Sequence, residues 1–409
     1  MKAIGNAVVG QSGGPTSAIN ATLAGVIAGC LEFGIEKIYG MKNGVEGLEK
    51  EDLLLLNDYF EKDRSQLDLL CATPAAALGS CRKKITEDEQ MARLYEVFEK
   101  YDITYFFYIG GNDSMDAVAK LTDYASRNEG LRKMFFIGVP KTIDNDLYLT
   151  DHTPGYGSAA KYVACTMQEI MRDCAVYTKK AVTIVEIMGR DAGWLTASAA
   201  LTQHICGIGP KFIYLPEVAF DEEQFLADIK AALENDPEPY LVIAVSEGIR
   251  DKNKKYVAEA AMSGAVDSFG HKYLAGTGKY LENLVRDKIG CKVRSVELNI
   301  LQRCASHIAS KTDIEESKKI GAAAVRHALS GESGKMMSFR RVKKAKQYSV
   351  EIFAEDVLEI ANKIKKIPKS YINDAGNNVN EKCVEYMLPL IKGEQTVIYE
   401  DGIPVHFSF

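Results

Sequence analysis

The sequence predicts an α/β protein of two Rossmann-like lobes, each a mainly parallel sheet flanked by helices, followed by a C-terminal extension. Three observations lead there. Apolar runs rich in Val, Ile, Phe and Tyr alternate with segments of helical period, the rhythm of strand–helix units that build parallel sheets. The 409 residues exceed what one hydrophobic core serves, since single cores stop growing near about 250 to 300 residues. Polar, glycine-bearing or acidic turns follow several of the apolar runs, where an open parallel sheet gathers its ligands.

The expected strands, in order, are Ala3–Val9, Glu36–Gly40, Tyr105–Ile109, Met134–Val139, Ala181–Ile187, Phe212–Leu215, Leu241–Val245 and Lys292–Leu298. Helical period marks Thr16–Leu31, Ser114–Ser126, Ser158–Tyr177, Trp194–Cys206 and Asp221–Leu233. These elements divide into a first lobe over 1–150, with 303–340 returning to it, and a second over 151–302. Beyond Gly331 the pattern loosens, and the extension over 341–409 offers a basic run (Arg340, Arg341, Lys343, Lys344, Lys346) and a charged helix near Ala354–Lys366. No repeat of 20 to 50 residues is visible.

Composition removes several function classes. Hydrophobic residues make up 46% and charged residues 26%, which builds a large core and argues against disorder. The opening residues Met1 to Asn6 lack the regions of a signal peptide. No run reaches the roughly 18 apolar residues that cross a bilayer, so a cytoplasmic protein without membrane partners is expected. Nine cysteines are scattered without a C-x-x-C pair, as reduced thiols would be. A net charge of -6 lacks the basic excess that meets a phosphate backbone, so no nucleic-acid partner is expected.

The loops after the strands carry the chemistry. Gly13-Gly14 and Gly110-Gly111 each stand between a strand and a helix, where glycine lets backbone approach an anion and the helix offers free N–H groups. Pro140-Lys141-Thr142-Ile143-Asp144-Asn145-Asp146 sets two carboxylates two residues apart beside a hydroxyl and a lysine. One can take a proton from a hydroxyl nucleophile while the other helps to hold hydrated Mg²⁺. Arg82, Arg190, Arg294 and Arg303 lie at the ends of apolar runs, as bidentate phosphate ligands would. Neither Gly331–Met336 nor Gly155–Ala160 has the spacing and context of a nucleotide-binding loop.

In order and spacing these loops resemble the phosphofructokinase family over roughly residues 1–340. The resemblance rests on Gly13-Gly14 with Asn20, Gly110-Gly111, Thr142 to Asp146, Met188-Gly189-Arg190, Ser246-Glu247-Gly248 and Gln302-Arg303. It implies a first lobe for the phosphoryl donor, contacted by Gly13, Gly14, Gly111 and Lys141, and a second for fructose 6-phosphate. Asp144 would be the base on the 1-hydroxyl, with Thr142 beside it, and Arg82 would stabilise the transferring group. Met188, Gly189, Arg190 and Glu247 would hold the sugar. Arg303 would grip the 6-phosphate, joined by Arg294 from a neighbouring copy, which implies a homodimer or homotetramer with shared sites. The metal ligands would be Asn112 and Asp146, with Asn112 standing where the family's ATP enzymes carry Asp. Ile300 and Ala181 also depart from the family, which often has His or Tyr at the first and, in bacterial ATP enzymes, Arg at the second; Lys179 and Lys180 stand near by.

Donor choice is expected from two further positions. Family members that use ATP carry glycine at the place of Asp113 and commonly at Lys141. A carboxylate at 113 puts like charge where an α-phosphate would lie, in a cleft that strengthens the repulsion. Lys141 fills the vacated space and can pair with the terminal phosphate of pyrophosphate. The resemblance therefore implies pyrophosphate as donor and a reversible reaction.

Overall fold

The protein is described here from a computed structural model covering residues 3–176, 178–259, 276–342 and 346–409. Tyr177, Lys343 and Lys344, assigned above to a helix end and the basic run, lie outside the described residues. The α/β class expected from the sequence is the one observed.

Besides a short ribbon of Tyr399–Glu400 paired with Ile403–Pro404, two main sheets are built from β1 (Asn6–Gln11), β2 (Ile38–Met41), β3 (Leu53–Leu55), β4 (Ile103–Gly110), β5 (Phe135–Pro140), β6 (Ala181–Ile187), β7 (Phe212–Tyr214), β8 (Tyr240–Ser246), β9 (Lys292–Glu297), β10 (Lys335–Arg341) and β11 (Val350–Asp356). Seven form one sheet in the order β11-β10-β5-β4-β1-β2-β3, and four form the other in the order β7-β8-β6-β9. The small sheet is wholly parallel. The large one is parallel at its centre, with β3 and β11 added antiparallel at its edges.

Burial explains which runs became central strands. Every residue of β1 and β4 is buried, the pattern of a strand covered by helices on both faces. Edge strand β9 instead keeps several polar side chains exposed, Arg294 among them. The Ile19–Glu32 helix covers one face of the large sheet and crosses the Lys311–Leu329 helix closely. A Cβ on Gly25 would stand 2.1 Å from Lys318 O, and one on Gly321 2.2 Å from Thr22 O, so glycine at both positions permits this approach.

Register brings the loops together. Gln11 pairs with Ile109, and Gly110 with Pro140, so the turns after β1, β4 and β5 leave the sheet side by side. In the small sheet Ile187 pairs with Ser246 and Glu186 with Glu297, which aligns the exits of β6, β8 and β9. Both sets of exits open onto one cleft.

The tail differs from the sequence reading. The stretch expected as a charged helix near Ala354–Lys366 begins inside β11, continues through one 3-10 turn (Val357–Glu359) and then runs on without α-helix. Val350, Ile352 and Ala354 alternate onto the core of the large sheet, and antiparallel pairing with β10 decides the conformation against the helical spacing of the apolar residues beyond. Farther on, Ile367, Cys383, Val384 and Met387 join the core of the small sheet, while Phe407 stacks at 5.2 Å on Phe60, part of the core of the large one. The chain beyond β11 thus packs against both sheets. The Trp194–Cys206 helix is also interrupted, passing through a 3-10 turn at Ser198–Ala200.

Candidate active site

The cleft between the sheets holds about 640 Å³. Its first wall is the turn after β1. Gly13 adopts φ +78°, its N–H donates to Cys81 O (3.1 Å), and its carbonyl accepts from Ser80 Oγ (2.6 Å), which ties the Arg82 loop to this turn. A Cβ on Gly13 would lie 3.1 Å from Lys141 Nζ, and one on Gly14 3.3 Å from Arg303 Nη1. The glycine pair therefore makes room for two cations at the backbone.

The second wall is the start of the Asn112–Arg127 helix, whose first-turn N–H groups carry the positive end of the helix dipole. Asp113 lies there, 3.5 Å from Lys84 Nζ. Asn112 Oδ1 is buried and accepts no hydrogen bond among the described residues.

The floor is the turn after β5. Lys141 is anchored by its N–H to Gly110 O (2.9 Å) and Thr142 by its N–H to Pro154 O (3.2 Å). The Asp144 N–H donates to Thr142 Oγ1 (3.1 Å), whose hydroxyl faces Asp144 Oδ2 at 3.4 Å. Asn145, at φ +54°, is fully buried between two carboxylates that both line the cleft.

The opposite wall comes from the small sheet. Met188 N–H donates to Gln302 Oε1 (3.2 Å), Gly189 N–H to Glu247 Oε1 (3.4 Å), and Ser246 Oγ to Gly189 O (2.5 Å). A Cβ on Gly248 would meet Arg190 O at 2.1 Å, so the Met188-Gly189-Arg190 and Ser246-Glu247-Gly248 turns interlock.

Charges are concentrated here. Burial pushes the Lys141 ammonium down to about 8, against the pull of Asp144 and Asp146 and with the push of Arg82 and Arg303. Burial raises the Asp144 carboxyl, opposed by Lys141 and Arg190. Burial and then the Asp144 carboxylate lift Asp146 to about 7. Glu247 reaches about 8 by burial and by facing Asp144. Carboxylates crowded in this way repel one another until a cation or proton joins them.

Of the residues singled out from sequence, Gly13, Gly14, Arg82, Gly111, Asn112, Asp113, Lys141, Thr142, Asp144, Asp146, Met188, Arg190, Glu247 and Arg303 line this one cleft. Gly189 sits between two of them. Arg294 does not reach it: it lies on β9, exposed, 3.3 Å from Asp173. Lys84, Asp191, Asn299, Asn362 and Ile364 also line the cleft and were not foreseen. Lys84 had a signal, standing two residues after Arg82, whereas Asn362 and Ile364 belong to the misread tail.

Among the described residues no group of three or more His, Cys, Asp or Glu side chains is arranged to hold a metal alone. The oxygen set nonetheless suits a hard divalent cation that keeps waters and takes further ligands from phosphates. The Asn112 oxygen is unclaimed, and the Asp113, Asp144 and Asp146 carboxylates share its cleft.

Facing carboxylates and cations in a cleft lined by backbone N–H groups can receive two anionic partners and move a phosphoryl group between them, a reaction governed by positioning and charge. The chain belongs to the phosphofructokinase family, whose family model, Phosphofructokinase, matches residues 6–328. It is 41% identical to the pyrophosphate--fructose 6-phosphate 1-phosphotransferase of Xanthomonas campestris pv. campestris, covering 99% of this chain and 96% of that one. It is 38% identical to the protein of the same name from Halomonas elongata, over 98% of this chain and 94% of that one. The crystal structure of a pyrophosphate-dependent phosphofructokinase from Nitrosospira multiformis superposes with a TM-score of 0.88 at 34% identity, covering 99% of this chain and 96% of that one. No helix among the described residues is long and apolar enough to cross a membrane.

Proposed function

We propose that the chain is a cytoplasmic, Mg²⁺-dependent phosphotransferase that moves a phosphoryl group from pyrophosphate to the 1-hydroxyl of fructose 6-phosphate, reversibly. The products are fructose 1,6-bisphosphate and phosphate. The observation that carries the donor is the Lys141 ammonium, 3% exposed and packed against the Gly13 turn. It occupies depth that a nucleoside triphosphate would need and offers a positive charge to a short donor. Asp113, at the head of the Asn112–Arg127 helix, adds a negative charge against a longer phosphate chain.

Asp144 takes the proton of the 1-hydroxyl, held in place by the Thr142 hydroxyl and its own N–H bond to it. The freed oxygen attacks the terminal phosphorus of pyrophosphate, and phosphate leaves from the opposite side. Arg82 and Lys141 face the charge that spreads over the phosphoryl oxygens. Asn112 and Asp146 would hold Mg²⁺, which when bound neutralises part of the phosphate charge. Met188, Gly189, Arg190 and Glu247 orient the sugar and Arg303 takes its phosphate. The exposed position of Arg294 on an edge strand supports its offer to a neighbouring copy in a homodimer or homotetramer.

Running the reaction backwards tests this reading. Fructose 1,6-bisphosphate with inorganic phosphate and Mg²⁺ should yield fructose 6-phosphate and pyrophosphate. No turnover in either direction would instead make the chain a sugar-phosphate-binding family member without catalysis.

A further inference from the structure

The segment that carries the two carboxylates holds two non-glycine residues in the left-handed region, Asn145 (φ 54°) and Leu149 (φ 57°). Backbone of this kind persists where its surroundings over-determine it. Those surroundings come from the C-terminal extension. Lys365 Nζ donates to Asn145 Oδ1 (3.0 Å), Thr150 O (3.1 Å) and Asp151 O (2.9 Å). Its backbone N–H donates to Asp146 O (2.7 Å), and the preceding Ile364 pairs antiparallel with Leu147. Tyr386, from the Glu381–Met387 helix, accepts from Asn145 Nδ2 (2.8 Å) and donates to Asp151 O (2.6 Å).

Lys365 is itself fixed. Trp194 Nε1 donates to its carbonyl (2.9 Å), and the ammonium lies 5.3 Å from the Trp194 ring centroid. An ammonium has three donors and no acceptor, which matches three acceptors converging on one point; the planar fork of arginine does not. Neither Lys365 nor Tyr386 lines the cleft, while Asp144 and Asp146, the neighbours of Asn145 on either side, both do.

We infer that Lys365 is a positioning residue, holding Asn145 left-handed so that Asp144 and Asp146 face the substrates, and that the C-terminal extension is thereby a working part of the active site. The inference rests on the phosphotransferase reading. It assigns the extension a task at the transfer step, since misplacing a reacting group by about 1 Å can cost about 10²-fold in rate.

The test compares wild type, Lys365→Met, Asn145→Ala and the double variant in pyrophosphate-dependent turnover. Lys365→Met should lower kcat by at least about tenfold while KM for each substrate moves less than about threefold, because binding groups elsewhere in the cleft are untouched. If Lys365 acts through Asn145, the double variant should be no worse than the poorer single variant within about threefold. Wild-type kcat in Lys365→Met, or losses that multiply in the double variant, would overturn the inference. Should Lys365→Met fail to fold by circular dichroism, Tyr386→Phe removes only the hydroxyl that touches Asn145 and Asp151. That variant should lose about threefold or more in kcat, and unchanged kcat would count equally against the proposal. An inactive wild type would instead refute the phosphotransferase reading itself.

Discussion

Replacing Lys141 by Met removes a buried charge while keeping most of the side chain's bulk, and it should move stability and activity in opposite directions. Lys141 is 3% exposed, and burial holds its ammonium near 8 against an ordinary 10.5. Each tenfold change in a protonation constant is worth about 1.4 kcal/mol, so keeping this charge costs the unliganded fold about 3 kcal/mol at neutral pH. Because the folded value is lowered, the unfolded chain binds the additional proton between about 8 and 10.5. The cost is therefore complete below about 8 and fades as pH rises through that window. Lys141→Met should raise the unfolding free energy at pH 7 by up to about 3 kcal/mol, the pull of Asp144 and Asp146 being already contained in the lowered value. Activity should fall by about 10² to 10³ in kcat/KM for pyrophosphate, the usual effect of removing one preorganised donor from a transferring group. Urea unfolding without substrates, followed by the fluorescence of Trp194, gives the first quantity and steady-state turnover the second. A variant that is less stable than wild type and equally active would refute the reasoning.

Four further outcomes are expected. Asp144→Ser should lower kcat by about 10² to 10⁴ while calorimetry still detects fructose 6-phosphate binding; equal loss of both would make Asp144 a structural turn residue. The profile of kcat/KM should rise as the Asp144 carboxyl, raised by burial, loses its proton and fall as Lys141 loses its own near 8; Lys141→Arg should move the alkaline limb upward, because guanidinium stays charged. Asp113→Gly with Lys141→Gly should weaken pyrophosphate use and admit some ATP, measured as the ratio of the two kcat/KM values. Chelation by EDTA should abolish turnover and added Mg²⁺ restore it, whereas full activity in chelator would remove the metal from the account.

The central sheets were legible because their strands are doubly covered. β4 is a near-continuous apolar run in which all eight residues are buried, and the expected Tyr105–Ile109 lies inside it. β6 matches its expected bounds. The edges were harder to read. β3 is a three-residue strand, too short for periodicity to speak, and β11 breaks the alternation with Phe353 and Asp356, only Val350, Ile352 and Ala354 meeting the core. The amphipathic Asp88–Lys100 helix and the Lys311–Leu329 helix were not among those foreseen.

Much of the candidate site was readable for a different reason. Glycine turns, carboxylates and arginines at strand exits are local features, and the parallel register then collects them. The contribution of the tail was not readable, because Lys365 meets Asn145 across a separation of 220 residues. Nothing in the local pattern around Lys365 marks it, since its three acceptors are one side-chain oxygen and two carbonyls from a distant turn.

Donor preference is the most direct test of the account. Purified protein with fructose 6-phosphate and Mg²⁺ should turn over with pyrophosphate at a kcat/KM at least about 10²-fold above that with ATP, consistent with like-charge exclusion at Asp113 and the space taken by Lys141. Robust turnover with ATP and none with pyrophosphate would contradict it.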